Sequence, residues 1–201
     1  MPERVESVEG PLVFARNFFK NPRMLGSIIP SSRFLVDQLL RHVKWNETKV
    51  FVEFGPGVGT ISKEILKRMR PDATLVAFEI NDEFVRVLRD NFSDPRLRVV
   101  HRSAADVVEV LRELGVGNAD YVVAGIPFSI LSDADRYAVV KGAHDALRTG
   151  GVMLVYQFSK RVRADLQKLF GKVHTQFEPL NILPAHVFHC VKNGNGNGNG
   201  A

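Results

Sequence analysis

A chain of 201 residues, 45% hydrophobic and 24% charged, fits one globular domain with enough apolar content for a sizeable core. Its single cysteine, Cys190, excludes an intrachain disulfide and points to a reducing compartment. The net charge of +5 gives a mild attraction to polyanions, either nucleic acid or an anionic membrane, and an ordinary basic enzyme carries as much.

The first ten residues are polar, hold no apolar signal core, and read as loose. No apolar run reaches the roughly 18 residues of a membrane span. Pro11 opens a short helix that Asn21-Pro22 ends, with Leu12, Ala15, Phe18 and Phe19 on one face and Arg16 and Lys20 on another. From Gly10 to Trp45 there are six basic residues, among them Arg23 and Arg33, against one acid, Asp37. Such a basic amphipathic helix reads either as a membrane-surface element or as a lid packed on the domain. A loop, Met24 to Ser32, follows, and Ser31 or Ser32 can cap the helix bearing Leu35, Val36, Leu39, Leu40 and Val43.

Val50 to Phe54 is apolar at four of five positions, as a strand buried on both faces requires. The chain then turns on Gly55, Gly57 and Gly59 and enters a helix marked by Ile61, Ile65, Leu66 and Met69. Glycines let a backbone bend sharply and let a ligand approach it, so this is a nucleotide-binding element. Its spacing is G-x-G-x-G rather than the dinucleotide G-x-G-x-x-G. Glu53 at the strand's end suits a cationic or hydroxyl-rich ligand and would repel a pyrophosphate.

Ala73 to Glu79 reads as a second buried strand whose terminal acid can accept both hydroxyls of a ribose. Asp82 is placed as the cap of the next helix. Leu97 to Val100 is a third strand, and Asp106 is placed as the cap of a helix over Val107 to Leu114. Tyr121 to Ala124 is a fourth strand, leading into Gly125-Ile-Pro-Phe128. A helix (Ala134 to Leu147), a strand ending in Tyr156-Gln-Phe158, a basic helix (Lys160 to Phe170) and two strands able to pair antiparallel complete the domain. The alternating Asn/Gly tail, 193–201, cannot bury apolar area and is expected to be disordered. The six histidines are scattered without ligand spacing, so no metal is expected. Hydrolase and NTPase motifs are absent.

Taken together, Glu53-Phe-Gly-Pro-Gly-Val-Gly59, the strand-end Glu79, Ser103-Ala104 and Gly125-Ile-Pro-Phe128 come in the order of the class I S-adenosylmethionine-dependent methyltransferases. The match spans about Val50 to Val191. Within that class the chain resembles the soluble bacterial phospholipid N-methyltransferases, with Gly26 to Ser32, the Gly-Ile-Pro-Phe turn and Tyr156-Gln-Phe158 as further pointers. The resemblance implies a Rossmann-like α/β fold with a seven-stranded sheet, mostly parallel with the last strand antiparallel. It implies an N-terminal helical segment (1–45), a methyltransferase domain (46–192) and the tail.

It implies S-adenosylmethionine as cofactor and S-adenosylhomocysteine as product. Gly55, Gly57 and Gly59 would approach the methionine portion, Glu79 the ribose, and Ser103 with Ala104 the adenine. Ser31, Glu53, Thr60, Ile80 and Gly125 complete that set. The acceptor would be the headgroup of phosphatidylethanolamine, methylated stepwise toward phosphatidylcholine at the inner face of the plasma membrane of a cytoplasmic enzyme. Gly125, Ile126, Phe128 and Tyr156 would position its amine. Phe18, Phe19, Arg16, Lys20, Arg23 and Arg33 would meet the membrane or substrate, and Lys160 and Arg161 are further candidates for the lipid phosphate. The amine must lose a proton before it attacks, and no general base stands out in the sequence.

Two alternatives stay open. The rRNA adenine N6-dimethyltransferases share the fold but usually carry Asn-x-Pro-Tyr/Phe where this chain has Gly125-Ile-Pro-Phe, and they have a further C-terminal helical domain. A non-catalytic, membrane-associated cofactor binder is the other. No nucleic acid or protein partner is otherwise implied.

Overall fold

The computed structural model describes residues 33–179 and 185–194. The expected helix over residues 11–20, the loop with Ser31, the residues Arg16, Phe18, Phe19, Lys20 and Arg23, and residues 195–201 lie outside the described residues.

In chain order the elements are α1 (Arg33–Leu40), β1 (Val50–Phe54), α2 (Thr60–Arg68), β2 (Thr74–Phe78), α3 (Asp82–Asn91), β3 (Leu97–Val100), α4 (Val107–Leu114) and β4 (Ala119–Ala124). Then come α5 (Asp133–Ala146), β5 (Leu147–Gln157), α6 (Arg163–Phe170), β6 (Val173–Glu178) and β7 (Ala185–Val191). The seven strands form one sheet in the order β3-β2-β1-β4-β5-β7-β6. β1, β2, β3, β4 and β5 run parallel, and β7 is antiparallel to both β5 and β6. The expected architecture, with its reversed last strand, is the one observed.

The sequence explains the two layers. Every residue of β1 and β4 is buried, because helices cover both faces. Side chains alternate across the pleat. Val50, Val52 and Phe54 join one core with α4, α5 and α6, while Phe51 joins a second core with α1 and α2. Asp120, at the start of β4, fastens the two central strands: its Oδ2 accepts from the Lys49 and Val50 amides at 2.7 and 2.9 Å, and the Arg148 guanidinium donates to its other oxygen.

Two helix starts differ from expectation. Asn81, not Asp82, caps α3, its side chain accepting from the Glu83 and Phe84 amides. Asx side chains of either kind can cap, and the chain's path settles which one turns inward. Before α4 the Ser103 side chain caps a short 3-10 turn (Ala104–Asp106) by accepting from the Ala105 amide, and Asp106 makes no side-chain cap bond.

Candidate functional site

The sheet reverses its winding between β1 and β4, and in an open α/β sheet the ligand crevice forms at the carboxyl ends of such a pair. Three backbone bonds hold the loops there: Gly55 N–H donates to Phe78 O at 2.9 Å, Glu79 N–H to Val100 O at 3.0 Å, and Gly125 N–H to Phe54 O at 2.9 Å. Gly55, Gly57 and Gly59 all have positive φ, of 69°, 57° and 85°. Their surroundings differ. A Cβ on Gly55 would lie 2.6 Å from Ile126 Cγ2, and one on Gly59 would lie 2.6 Å from the Phe92 ring. At Gly57 nothing among the described residues stands within 4 Å of that position, so this backbone faces space that a ligand can enter.

Glu79 stands at the tip of β2 and is buried, at 5% exposure. Its Oε1 accepts from the Ile80 and Asn81 amides at 2.9 and 3.0 Å, and its Oε2 from the Gly57 amide at 3.2 Å. A carboxylate offers about four acceptor sites, so capacity remains for a ligand hydroxyl. Burial raises its carboxyl above the usual range, against the pull of those amides and of His101. Glu53 lies beneath the turn at 2% exposure, with the Ser62 hydroxyl donating to it at 2.6 Å. Burial pushes its carboxyl up to about 7, opposed by the Ser62 bond and assisted by the neighbouring charge of Glu79. Farther along the crevice, Ala104 is buried, Ser103 is exposed and Ile80 presents 40% of its surface to solvent.

Past β4, the turn Gly125-Ile-Pro-Phe128 is gripped from β5. A Cβ on Gly125 would lie 2.4 Å from the Tyr156 hydroxyl, so that hydroxyl takes the space of a missing side chain. The Gln157 amide donates to Ile126 O at 2.7 Å and accepts from the Phe128 amide at 3.2 Å. The Phe128 ring, expected beside an acceptor amine, is fully buried in the core against α5 and α6. An aromatic residue after a strand reads equally as pocket wall or core, and here the core claims it; only its backbone borders the turn.

Of the cations, Arg161 donates to Ser129 O at 3.0 Å and pairs with Asp133 at 2.7 Å. Lys160 sits near enough to His186 to add to the effect of burial in lowering that imidazole's pKa. Arg33 lies over the Phe34 ring and lines a groove of about 1030 Å³ that also takes in Gly59 and Thr60 of the glycine loop, with Lys63 and Phe92. Thr60 is the first residue of α2. Ser62 and Asn81 were not singled out from the sequence, and Gln157 entered only within the Tyr156-Gln-Phe158 strand end, with no role of its own. A polar residue closing an otherwise apolar strand is the one signal that pointed toward Gln157.

The switch-point crevice, the glycine turn and the acid ending β2 define the class I methyltransferase architecture. Residues 26–179 match the family model described as methyltransferase small domain. The chain is 30% identical over 182 residues to the ornithine lipid N-methyltransferase of Singulisphaera acidiphila, a match covering 89% of this chain and 94% of that one. It is 28% identical over 135 residues to the ribosomal RNA small subunit methyltransferase A of Dehalococcoides mccartyi, covering 66% of this chain and 42% of that one. The precorrin-6y C5,15-methyltransferase of Geobacter metallireducens shares the fold with a TM-score of 0.64 at 16% identity, over 79% of this chain and 88% of that one. The chain belongs to the methyltransferase small domain family, among the class I S-adenosylmethionine-dependent methyltransferases, and it resembles the lipid N-methyltransferases within that class. Its methyl donor is S-adenosylmethionine, which the open backbone at Gly57 and the buried acceptor oxygens of Glu79 fit.

Replacing Glu79 with alanine is expected to weaken S-adenosylmethionine binding by about 1.5–3 kcal/mol, as for lost hydrogen bonds to a charged group. Isothermal titration measures this, and an unchanged affinity would exclude a ribose-holding role. Glu53 gives a pH signature. Its folded pKa of about 7 lies above the 4.5 of an ordinary Glu, so its contribution to stability is full below pH 4.5 and is lost as pH rises through about 7. Glu53→Gln removes that titration. Its melting temperature relative to wild type should rise steadily between about pH 5 and pH 8; a difference that stays constant across this range would rule the titration out.

Proposed function

We propose that the chain is a lipid N-methyltransferase that methylates the amine of phosphatidylethanolamine stepwise toward phosphatidylcholine at the inner membrane surface. The observation that carries this reading is the turn after β4. Gly125 has no side chain, and the Tyr156 hydroxyl fills its place. An adenine amine is planar, and an Asn side chain at this position together with a backbone carbonyl would clamp its two hydrogens. A lipid amine is tetrahedral and flexible, and a turn without that clamp suits it. The ornithine lipid enzyme among the relatives also methylates a lipid, and it matches over nearly its whole length.

Each residue takes a role that its position supports. Glu79 holds the ribose, Ile80 and Ala104 flank the adenine with Ser103 at its edge, and the Gly57 backbone faces the methionine portion. Glu53 adds negative charge beneath a cationic donor. Methyl transfer is an in-line displacement, so the protein mainly aligns the amine and excludes water. The amine's free pKa is about 10, like that of lysine, and desolvation in the crevice lowers it toward the neutral, attacking form. Tyr156 and the Gly125 backbone orient that amine. Tyr156 and the exposed Phe158 hold the growing cation by contacts of about 0.5–2 kcal/mol each. Arg161 is committed to Ser129 and Asp133, which favours Lys160 over it as the nearby cation for the lipid phosphate, beside Arg23 and Arg33. No helix among the described residues is long and apolar enough to cross a membrane. Attachment at the surface through the basic segment of residues 11–20 fits this reading.

The deciding assay offers labelled S-adenosylmethionine with vesicles of phosphatidylethanolamine, its mono- and dimethyl forms, ornithine lipid, or unmodified rRNA. Label is expected in phosphatidylethanolamine and its methyl forms; label in RNA alone would overturn the proposal, and label in ornithine lipid alone would reassign the acceptor. Gly125→Asn should cut lipid turnover by about tenfold or more, because its Cβ displaces the Tyr156 hydroxyl and misplaces the amine. Full turnover in a folded variant would show that this turn does not set acceptor choice. Deleting residues 1–22 should abolish cosedimentation with anionic vesicles while the far-ultraviolet spectrum stays native. Undiminished cosedimentation would place the anchor elsewhere.

A further inference from the structure

Consecutive residues at the end of β5 straddle the acceptor turn. Tyr156 presses on Gly125 from one side of the sheet. Gln157 reaches it from the other, in register with His186 of β7. The Gln157 side chain is buried, at 6% exposure. Its Nε2 donates to Ile126 O and to Tyr156 O, both at 2.7 Å, and its Oε1 accepts from the Phe128 amide at 3.2 Å. Both amide donors are therefore used.

Among the described residues the turn's backbone is tied to the sheet through the Gly125 N–H bond to Phe54 O. Pro127 supplies no N–H. Its φ of −77° and ψ of 83° make an inverse γ-turn, with the Phe128 amide 2.9 Å from Ile126 O. Gln157 is the side-chain brace from β5 that supplements the Gly125 tie, holding Ile126 and Phe128 directly. The braced residue also meets the cofactor loop, since Ile126 Cγ2 lies 2.6 Å from where a Gly55 Cβ would stand. Donor loop and acceptor turn therefore touch through Gly55 and Ile126, and Gln157 holds one of the two.

We propose that Gln157 is a positioning residue for methyl transfer: by holding Ile126 against Gly55 it sets the spacing between the donor loop and the acceptor turn. The proposal rests on the lipid reading only for its acceptor. A buried amide with a purely structural task would affect stability and leave the chemical step alone. Misplacement of reacting groups by about 1 Å costs about 100-fold, so the chemical step should register the loss of this brace.

The test uses the full chain with Gln157→Leu and Gln157→Glu. In the leucine variant, kcat on phosphatidylethanolamine vesicles should fall about 10- to 100-fold, with the lipid KM and the calorimetric Kd for S-adenosylmethionine within about threefold of wild type. Hydrogen exchange at the Phe128 amide should quicken. A protonated glutamate keeps one O–H donor and one carbonyl acceptor, whereas an ionised one cannot donate. The kcat of the Gln157→Glu variant relative to wild type should therefore climb as pH falls from about 9 to about 6. A folded leucine variant with kcat within about twofold of wild type, or a glutamate-to-wild-type ratio that is flat with pH, overturns the proposal. Should wild type methylate no lipid, the lipid reading fails separately, and Gln157 is then judged on Phe128 exchange: unchanged protection in the leucine variant overturns the brace.

Discussion

The Gly57 amide donates to the Glu79 carboxylate, and the crevice depends on this bond. It joins the loop after β1 to the tip of β2. Without it only the Gly55 N–H bond to Phe78 O would tie the glycine turn to β2, and the three positive-φ residues in a row of five would be held at one end. The same carboxylate takes the two amides that begin the path to α3. One side chain thus sets the cofactor loop, the start of the next helix and the direction of its own free lone pairs. Desolvation opposes burying such a charge, and the three amides compensate in part.

Electrostatics adds a second layer. Two carboxylates, Glu53 and Glu79, are buried close enough for the Glu79 charge to be felt by Glu53. A fold does not gather like charges in its interior for stability. Their pairing makes sense where the ligand itself brings positive charge, as a sulfonium does. Ser62, on the first turns of α2, is the local concession that lets Glu53 stay beneath the loop.

Much of this was legible in the sequence, for reasons that can be named. Strands buried on both faces announce themselves as apolar runs, and β1, β2 and β4 lie where such runs occur. Glu79 was recognisable because an acid ending a buried strand has few reasons to be there. The failures share a cause: they turn on which way one side chain points. Asn81 and Asp82 are adjacent and equally able to cap, and only the chain's path selects Asn81. Phe128 reads as pocket or core, and lies in the core. Gln157 has no periodicity to mark it, since its importance comes from Ile126 and Phe128, which lie 31 and 29 residues away.

The three glycines have a consequence for how the protein comes together. Gly55 is small because Ile126 crowds it, and Gly59 because Phe92 does. One neighbour arrives from beyond β4 and the other from the end of α3. Until both have docked, the loop lacks the walls that hold its left-handed turns. The ligand cradle is therefore complete only when these non-local contacts have closed. A ligand that recognises only the finished cradle draws the whole sheet toward the folded state, because no partly assembled form can bind it.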